Sequence, residues 1–321
     1  MKKISDGVYQ VEVPMRRNPL GYTYSYLLRE AATLIDTGVG TGQALEALSL
    51  QLGQAGLEVS SIRRLIATHL HGDHVGLMNQ IRDISGARIY AHVEALEAQQ
   101  TQKGRDRALD YMKELKRLGG KAPDGFLGRL TESWNRRRRA FQIDEPLEDG
   151  QVLKLEGSSL KTLHTPGHAR EHICLYDAEK RLLYAGDFIL SKITPHISLH
   201  NPQGGDPLSD YLRALEKIRG LPVDLVLPAH ERVFLDLDGR ILELETHHEE
   251  RCHEIVQAIK GGAVTVFQIS SKVSWDSRPW SEMRFWTKRM AAAETLAHLV
   301  YMRKREEVEE ENVDGVLYYR L

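Results

Sequence analysis

Three histidines and one aspartate lie within six positions of the sequence, directly after a short apolar run. They are His69, His71, Asp73 and His74, within the segment Leu-Ile-Ala-Thr-His-Leu-His-Gly-Asp-His at residues 65–74. An apolar run that leads into a polar, glycine-containing segment predicts a strand that ends in a loop. Imidazole and carboxylate groups are ligands of zinc, iron and manganese. In an extended segment His69 and His71 face the same side and can bind one ion, and a turn at the glycine would let Asp73 and His74 face a second ion.

Three further motifs with histidine or aspartate follow apolar stretches later in the chain. Each contains glycine or proline, which favours a sharp bend that leaves the next side chain exposed. The motifs are Thr-Pro-Gly-His ending at His168, Gly-Asp ending at Asp187, and Pro-Ala-His ending at His230. A single histidine in a loop would indicate no more than a solvent contact, but this density of ligand-type side chains favours a metal site.

The order of these motifs resembles that of the metallo-β-lactamase superfamily of metal-dependent hydrolases, and most closely its glyoxalase II-like and LACTB2-like branch. The resemblance implies two divalent ions, zinc first with iron or manganese as alternatives, and a hydroxide between them. It assigns His69, His71 and His168 to one ion, Asp73, His74 and His230 to the other, and Asp187 to a bridging position. Asp73 and Asp187 would fix the catalytic geometry.

The expected reaction is the hydrolysis of an ester, thioester or lactone, without a serine or cysteine nucleophile. Two other activities stay open at this point. One is cleavage of single-stranded RNA, as in LACTB2-like proteins. The other is persulfide dioxygenase-like chemistry at one iron, with His69, His168 and Asp187 as a facial triad. A non-catalytic binding protein is disfavoured because every ligand position is filled.

The hydrophobic pattern predicts the elements that would position these residues. Residues 4–37 alternate in the manner of strands, residues 43–52 have helical spacing, and a further strand leads into the loop at His69. Strands interspersed with helices fit a layered α/β fold. The resemblance makes this a four-layer αββα sandwich, and we expect the catalytic domain to span residues 1–245.

Several side chains beside the motifs are candidates for supporting roles. Asp36 either orients the loop at His69 or only forms a turn. Tyr24, in a strand of alternating tyrosines, and His196, after Asp187, are candidates for contacting the substrate. His172 either supports the metal site or makes local hydrogen bonds.

A polar stretch at about residues 95–145 predicts a helical insertion. It carries 12 lysines and arginines against 8 acidic residues and ends in the run Arg136 to Arg139. In the family resembled, such an insertion often helps to form the substrate cleft. Arg137 is therefore a candidate for contacting an acidic substrate or RNA. The alternative is a solvated helix face, which charge runs usually are.

The C-terminal segment, residues 246–321, resembles a winged-helix domain. Helices are predicted near 249–260, 264–273 and 289–304, followed by a hairpin that turns at Asp314 and Gly315. The segment has 11 basic and 12 acidic residues, whereas a phosphate-binding module usually has a basic excess. Packing or homodimer formation is therefore the expected role. We expect His247, His248 and His253 on the helix surface.

The composition is that of an ordinary globular protein and shows no strong charge field. The 321 residues include 43 lysines and arginines against 45 acidic residues. No apolar run has membrane length, and the polar residues after Met1 do not resemble a secretory signal. Cys174 and Cys252 are expected to be packed thiols. We therefore expect a cytoplasmic protein with no membrane partner.

Overall fold

The computed structural model describes residues 1–16, 18–101, 107–121, 141–199, 205–275 and 278–321. The arginine run with Arg137 lies outside these described residues, so its role stays a prediction. The described residues form two compact units. The first comprises those within Met1–Lys103, Arg138–Pro195 and Ala214–Ile241, and the second those within Gly104–Arg137, His196–Arg213 and Leu242–Leu321. The domain boundary after residue 245 stays a prediction.

A seven-stranded sheet forms one layer of the first unit. Its strands β1 to β7 are Lys2–Ser5, Val8–Pro14, Tyr22–Leu28, Thr33–Ile35, Arg64–Ile66, Arg88–His92 and Glu145–Leu147. They neighbour one another in chain order. Strands β1 to β4 pair antiparallel and β4 to β7 pair parallel. Because parallel strands end at the same edge of a sheet, the residues after β4 and β5 come together there.

Helices α1 (Gly42–Gln54) and α2 (Met78–Ser85) pack on one face of this sheet. Helix α1 begins where the Thr41 hydroxyl accepts a hydrogen bond from the N–H of Ala44 at 3.2 Å. It buries Ala44, Leu48 and Leu52 at the four-residue spacing of one helix face. The helix predicted over residues 43–52 is confirmed. Helices α3 (Glu94–Thr101) and α4 (Arg107–Arg117) fall within the predicted insertion.

A five-stranded sheet forms the next layer. Its strands β8 to β12 are Val152–Leu155, Ser158–His164, Ile173–Asp177, Leu182–Gly186 and Leu225–Pro228, in the order β12-β11-β10-β9-β8. Tyr26 and Ile66 of the first sheet share one buried core with Leu175 and Tyr184 of the second. At the end of helix α5 (Pro207–Ile218), Lys217 Nζ lies 3.0 Å from the carbonyl oxygen of His164 in β9. The expected αββα layering is confirmed.

The C-terminal part contains the predicted helices and hairpin. Helix α6 (Leu237–Lys260) begins well before residue 249, and it is followed by α7 (Val266–Ser270) and α8 (Phe285–Lys304). Strands β13 (Glu309–Val313) and β14 (Val316–Arg320) pair antiparallel. Asp314 and Gly315 join them with φ values of 52° and 83°, which only a few residue types adopt readily. The winged-helix assignment stays a prediction.

The expectation that His248 lies on the surface is wrong. Its side chain is 2% exposed, and its Nδ1 lies 3.0 Å from Nε2 of His298 in α8. It lies on the same buried face of α6 as Ile241 and Leu244, and the prediction missed this face because it began the helix at residue 249. Cys174 is buried and Cys252 half-buried, and both are free thiols, as expected. Within the described part of the chain, no helix combines the length and apolar composition needed to cross a membrane.

Candidate metal centre

One buried carboxylate fastens the loop after β5 to the end of β4. Asp36 follows β4 with a φ of 56°. Its carboxylate accepts hydrogen bonds from the backbone N–H and the hydroxyl of Thr68, both at 2.8 Å, and from Nδ1 of His74, also at 2.8 Å. Of the two roles that the sequence left open for Asp36, the contacts support the one that orients the loop.

These contacts determine which nitrogen of each imidazole faces inward. Because the Asp36 carboxylate only accepts, Nδ1 of His74 carries the proton, and Nε2 of the neutral ring has a lone pair. The Thr68 hydroxyl donates to Asp36, so it accepts from Nδ1 of His69 at 3.0 Å and leaves a lone pair on Nε2 there too. His230 has the same tautomer, because its Nδ1 donates to a backbone carbonyl at 3.0 Å.

The other candidate ligands follow strands of the second sheet. His168 comes after β9, Asp187 directly after β11, and His230 shortly after β12. Gly186, at the end of β11, has a φ of 51°, and a Cβ there would lie 2.6 Å from Nε2 of His172. Glycine therefore lets the backbone approach His172 closely and turn, so that Asp187 faces the loop after β5.

Four side chains form a first cluster in which one ligand atom from each lies within 4.8 Å of the others: His69, His71, His168 and Asp187. Nδ1 of His71 lies 2.9 Å from Nε2 of His69 and 2.9 Å from Nε2 of His168. Oδ2 of Asp187 lies 3.6 Å from Nε2 of His168. Three imidazole nitrogens and a carboxylate oxygen form a ligand set that could hold one metal ion.

Asp73, His74 and His230 form a second such cluster. Nε2 of His230 lies 3.6 Å from Oδ2 of Asp73, and Nε2 of His74 lies 4.0 Å from Oδ1 of the same carboxylate. Asp187 also reaches this cluster, with Oδ2 at 3.3 Å from Nε2 of His74 and Oδ1 at 3.4 Å from Nε2 of His230. The Asp187 carboxylate therefore contacts both clusters.

Burial and neighbouring charges act against each other at this centre. Burial alone would raise the pKa of the Asp187 carboxyl, but His74 and His230 hold it well below its usual range. Burial alone would lower the pKa of His74, but the carboxylates of Asp187 and Asp36 raise it well above its usual range. Burial, together with His74, lowers the pKa of His69 well below its usual value. The ionised Asp187 carboxylate and the raised pKa of His74 both show that this centre favours positive charge, which suits a bound cation.

The polar atoms that lack partners test whether metal ions fit here. Nε2 of His74, Nε2 of His230 and Oδ1 of Asp187 are buried and make no hydrogen bond of acceptable geometry with a described residue. A buried polar atom without a partner costs about 1–3 kcal/mol. Several other buried polar atoms of the described residues also have no partner, but these three meet at the Asp187 carboxylate, which lies within 3.4 Å of both imidazole nitrogens. Bound metal ions would supply the missing partners there. The residues present therefore fit divalent ions.

His172 supports Asp187 from behind and was one of the open candidates. Its Nε2 accepts a hydrogen bond from the backbone N–H of Asp187 at 3.2 Å, and its Nδ1 donates to the Thr165 hydroxyl at 2.9 Å. That hydroxyl donates in turn to Sγ of Cys174 at 3.4 Å. The local hydrogen bonds that the sequence left open are therefore present, and they also position the backbone of a candidate ligand.

Sequence reasoning missed two of the positioning residues, Thr68 and Glu171. Thr68 joins Asp36 to His69, as described above. Oε1 of Glu171 accepts a hydrogen bond from the N–H of Leu70 at 3.2 Å. The only signal for either residue is its position next to a ligand motif, which does not distinguish a partner from a solvent-facing side chain.

Two of the residues predicted to contact the substrate, Tyr24 and His196, lie in different units of the structure. Tyr24 is in β3, and its backbone N–H donates to the carbonyl of Ala229 at 2.7 Å, next to His230 in the chain. His196 belongs to the second unit, where its Nδ1 donates to Oε2 of Glu294 at 2.9 Å. Substrate contact by Tyr24, His196 and Arg137 stays a prediction.

Comparison with known proteins points to one family. A family model described as the metallo-beta-lactamase superfamily matches residues 18–230. A solved metallo-beta-lactamase family protein from Thermus thermophilus is 29% identical, with a TM-score of 0.83 over 99% of each chain.

Three curated relatives carry more specific names. The probable metallo-hydrolase YqjP of Bacillus subtilis is 26% identical, over 79% of this chain and 81% of its own length. A beta-lactamase-like protein 2 homolog of Caenorhabditis elegans is 26% identical, over 88% of this chain and 80% of its own. An atrochrysone carboxyl ACP thioesterase of a Cryptosporiopsis species is 26% identical, over 76% of this chain and 63% of its own.

Proposed function

The chain belongs to the metallo-beta-lactamase superfamily of metal-dependent hydrolases, and from this premise we propose that it is a dinuclear enzyme that cleaves an ester, thioester or lactone. The observation that carries the proposal is the position of Asp187, whose carboxylate lies within 3.6 Å of His168 in one cluster and within 3.4 Å of His230 in the other. A carboxylate between two nitrogen-rich clusters suits a ligand shared by two ions.

In this proposal His69, His71 and His168 bind one ion, and Asp73, His74 and His230 bind the other. Zinc is the first choice, because imidazole nitrogen with carboxylate oxygen is a usual zinc ligand set, and iron and manganese accept the same donors. When bound, two such ions supply a hydroxide at neutral pH and polarise the substrate carbonyl.

The protein's own residues position the components of the reaction. Asp187 contacts both clusters and would hold them together, Asp73 would complete the second one, and Asp36 orients the ring of His74. The cysteines are unsuited to act as the nucleophile, because burial raises the pKa of Cys174 and that of Cys252 to about 12. A hydrolase without a side-chain nucleophile is consistent with this arrangement.

The thioester has support from a relative whose name states a thioesterase activity. That relative is longer than the part this chain matches, so its acyl carrier substrate is not transferred here. We infer only the bond type: an acyl group joined to sulfur or oxygen.

Metal analysis of ligand variants tests the proposal. Protein purified without chelator or added metal should carry about two ions per chain. His71→Ala and His230→Ala should each lose about one ion, and each should reduce thioester hydrolysis on the order of 100-fold or more, because a direct ligand matters at least as much as its supporting residues. His253→Ala, at an exposed position in α6, is the matched control and should keep both ions and full activity.

Other outcomes would contradict the proposal in different ways. One tightly held iron per chain with oxygen consumption would indicate the dioxygenase-like activity instead. Two ions without cleavage of any ester, thioester or lactone would remove the proposed substrate class, and single-stranded RNA would be the next substrate to test.

A further inference from the structure

An open cavity of about 590 Å³ lies in the first unit beside Asp73. This volume is within the usual range of small-molecule sites. Gly72 and Asp73 form one wall, Arg16 in the loop between β2 and β3 forms another, and Thr41 and Gln43 at the start of α1 form a third. The cavity therefore adjoins the second of the two metal-ligand clusters.

The wall formed by residues 39–41 is held tightly against the loop that carries Asp73. The N–H of Gly76 donates to the carbonyl of Gly38 at 2.9 Å. A Cβ on Gly76 would lie 2.1 Å from the backbone nitrogen of Gly40, so the two backbones are in direct contact. This packing fixes the cavity relative to the candidate ligands, which a specificity site requires.

The loop that carries Arg16 has hydrogen bonds of its own. Sδ of Met15 accepts from the Thr23 hydroxyl at 3.2 Å and from the Asn18 amide at 3.7 Å, and the Asn18 carbonyl accepts from the N–H of Gly21 at 3.0 Å. Arg16 has no ion pair or hydrogen bond with a described residue. Its guanidinium is therefore available to a ligand in the cavity it lines.

The lining favours an anionic group with a short apolar part. Asp73 is the one acidic residue among the described residues that line the cavity, and it is already assigned to a metal ion. The 13-residue helix α1 has no acidic residue in its first turn, so the partial positive charge of its N-terminus is not cancelled. Met15, Pro19 and Val39 supply apolar surface between these groups.

We propose that this cavity receives the acyl part of the substrate and that Arg16 selects acyl groups ending in an anion, either a carboxylate or a phosphate. The inference rests on the proposed function and specifies the substrate of that same site. A planar guanidinium forms two parallel hydrogen bonds to a carboxylate or a phosphate, which a neutral acyl end cannot accept with the same strength.

Matched thioesters of one neutral thiol test the proposal. The succinyl and butyryl thioesters have similar length and differ in the terminal carboxylate. We expect wild-type kcat/KM to be at least about tenfold higher for succinyl, as one charge-assisted contact allows. Arg16→Met should remove most of this preference through the KM for succinyl, and Arg16→Lys should restore part of it. Arg63→Met is the matched control, since Arg63 is an exposed arginine that does not line the cavity, and it should keep the preference.

A phosphonate-ended acyl thioester of the same length distinguishes the two anions, because the better substrate identifies the natural end group.

Equal wild-type kcat/KM for the succinyl and butyryl thioesters, or a preference that survives in Arg16→Met, would overturn the inference while leaving the hydrolase proposal intact. If wild-type protein cleaves neither thioester, metal analysis and the test of other esters, thioesters and lactones decide the hydrolase proposal, while calorimetric binding of succinate against butyrate decides the inference. Tighter binding of succinate that depends on Arg16 would support it, and equal binding would overturn it.

Discussion

At the scale of single residues, Asp36 determines what two candidate ligands can do. Its carboxylate accepts from Nδ1 of His74 and from the Thr68 hydroxyl, which accepts in turn from Nδ1 of His69. One buried side chain therefore sets the tautomer of one histidine in each cluster. Such partners of metal ligands typically change metal affinity or activity about 10–100-fold when they are removed.

Asp36→Asn should weaken metal binding at the second cluster without changing any candidate ligand. The amide nitrogen of asparagine donates and does not accept, so a hydrogen bond from Thr68 or His74 is lost, and the His74 ring without a fixed tautomer binds metal less well. We expect metal affinity at the second cluster to fall about 10–100-fold, measured by competition with a chelator.

Asp83→Asn is the matched control for that measurement, because Asp83 is exposed in α2. It should bind metal like wild-type protein. Wild-type affinity in Asp36→Asn would show that the carboxylate does not control the ring.

The same scale shows which residues the sequence could predict. The candidate ligands stand in short motifs with local spacing, and the structure groups their side chains into two clusters, while their binding of metal stays a prediction. Their supporting contacts join distant positions: the Tyr26 hydroxyl donates to the carbonyl of Pro228, 202 positions away, at 2.7 Å. Thr68 and Glu171 were missed for this reason, since their partners depend on the folded arrangement.

At the scale of elements, the backbone contact between Gly40 and Gly76 connects the start of α1 to the loop that carries Asp73. Gly76→Ala should strain this contact, because a Cβ at residue 76 would lie 2.1 Å from the nitrogen of Gly40 and 2.6 Å from the carbonyl oxygen of Gly72. Backbone atoms cannot move aside as a flexible side chain can. We expect a loss of about 1–3 kcal/mol in the free energy of unfolding, with weaker metal binding as the loop shifts.

Gly53→Ala is the opposite case in the same region. Gly53 lies inside α1 with nothing within 4 Å of its missing Cβ, so alanine should stabilise the protein by about 0.5–1 kcal/mol. Denaturant unfolding of both variants measures the two effects. Equal stability of the two variants would mean that the glycine contact is not tight.

Element types were predictable, but some element limits were not. Alternating apolar residues along 4–37 indicated the first strands, and Thr265 begins α7 with a capping box that it forms with Gln268. Helix α6 begins at Leu237 rather than near 249. Its first turns bury Leu237, Ile241 and Leu244 at helical spacing, a signal that the prediction from residue 249 onward left out.

At the scale of the whole molecule, the sequence could not reveal that the second unit combines three separate segments of the chain. His196 in one segment pairs with Glu294 in another at 2.9 Å, and the only sequence signal was a histidine in a loop. His248 and His298, 50 positions apart, likewise form a buried pair, because local spacing does not tell which residue of another helix faces His248. This buried histidine pair has a consequence for stability.

Acid should destabilise the second unit through His298. Burial lowers its pKa to about 4, against an ordinary value of 6.5, although Glu294 acts in the other direction, while Arg251 and His247 lower the pKa further. Burial also lowers the pKa of His248. Between pH 6.5 and 4 the unfolded chain therefore binds more protons than the native protein, so stability falls as pH falls. His298 alone should account for about 2 kcal/mol between pH 7 and pH 5.

Denaturant unfolding at pH 7 and pH 5, followed by the fluorescence of Trp275, Trp280 and Trp286 in the second unit, measures this loss. Metal-free protein is used throughout, so that acid release of metal does not contribute. His298→Asn should be less stable at pH 7 but should lose about 2 kcal/mol less free energy of unfolding than wild type between the two pH values.

Glu294 does not contribute to this difference between the two pH values. Burial would raise its pKa, but His196 holds the pKa at about 2, so the carboxylate stays ionised over this range. His253→Asn, at an exposed site in α6, is the control and should lose as much free energy of unfolding between pH 7 and pH 5 as wild type. If His298→Asn loses as much as wild type too, the buried pair does not control the acid response.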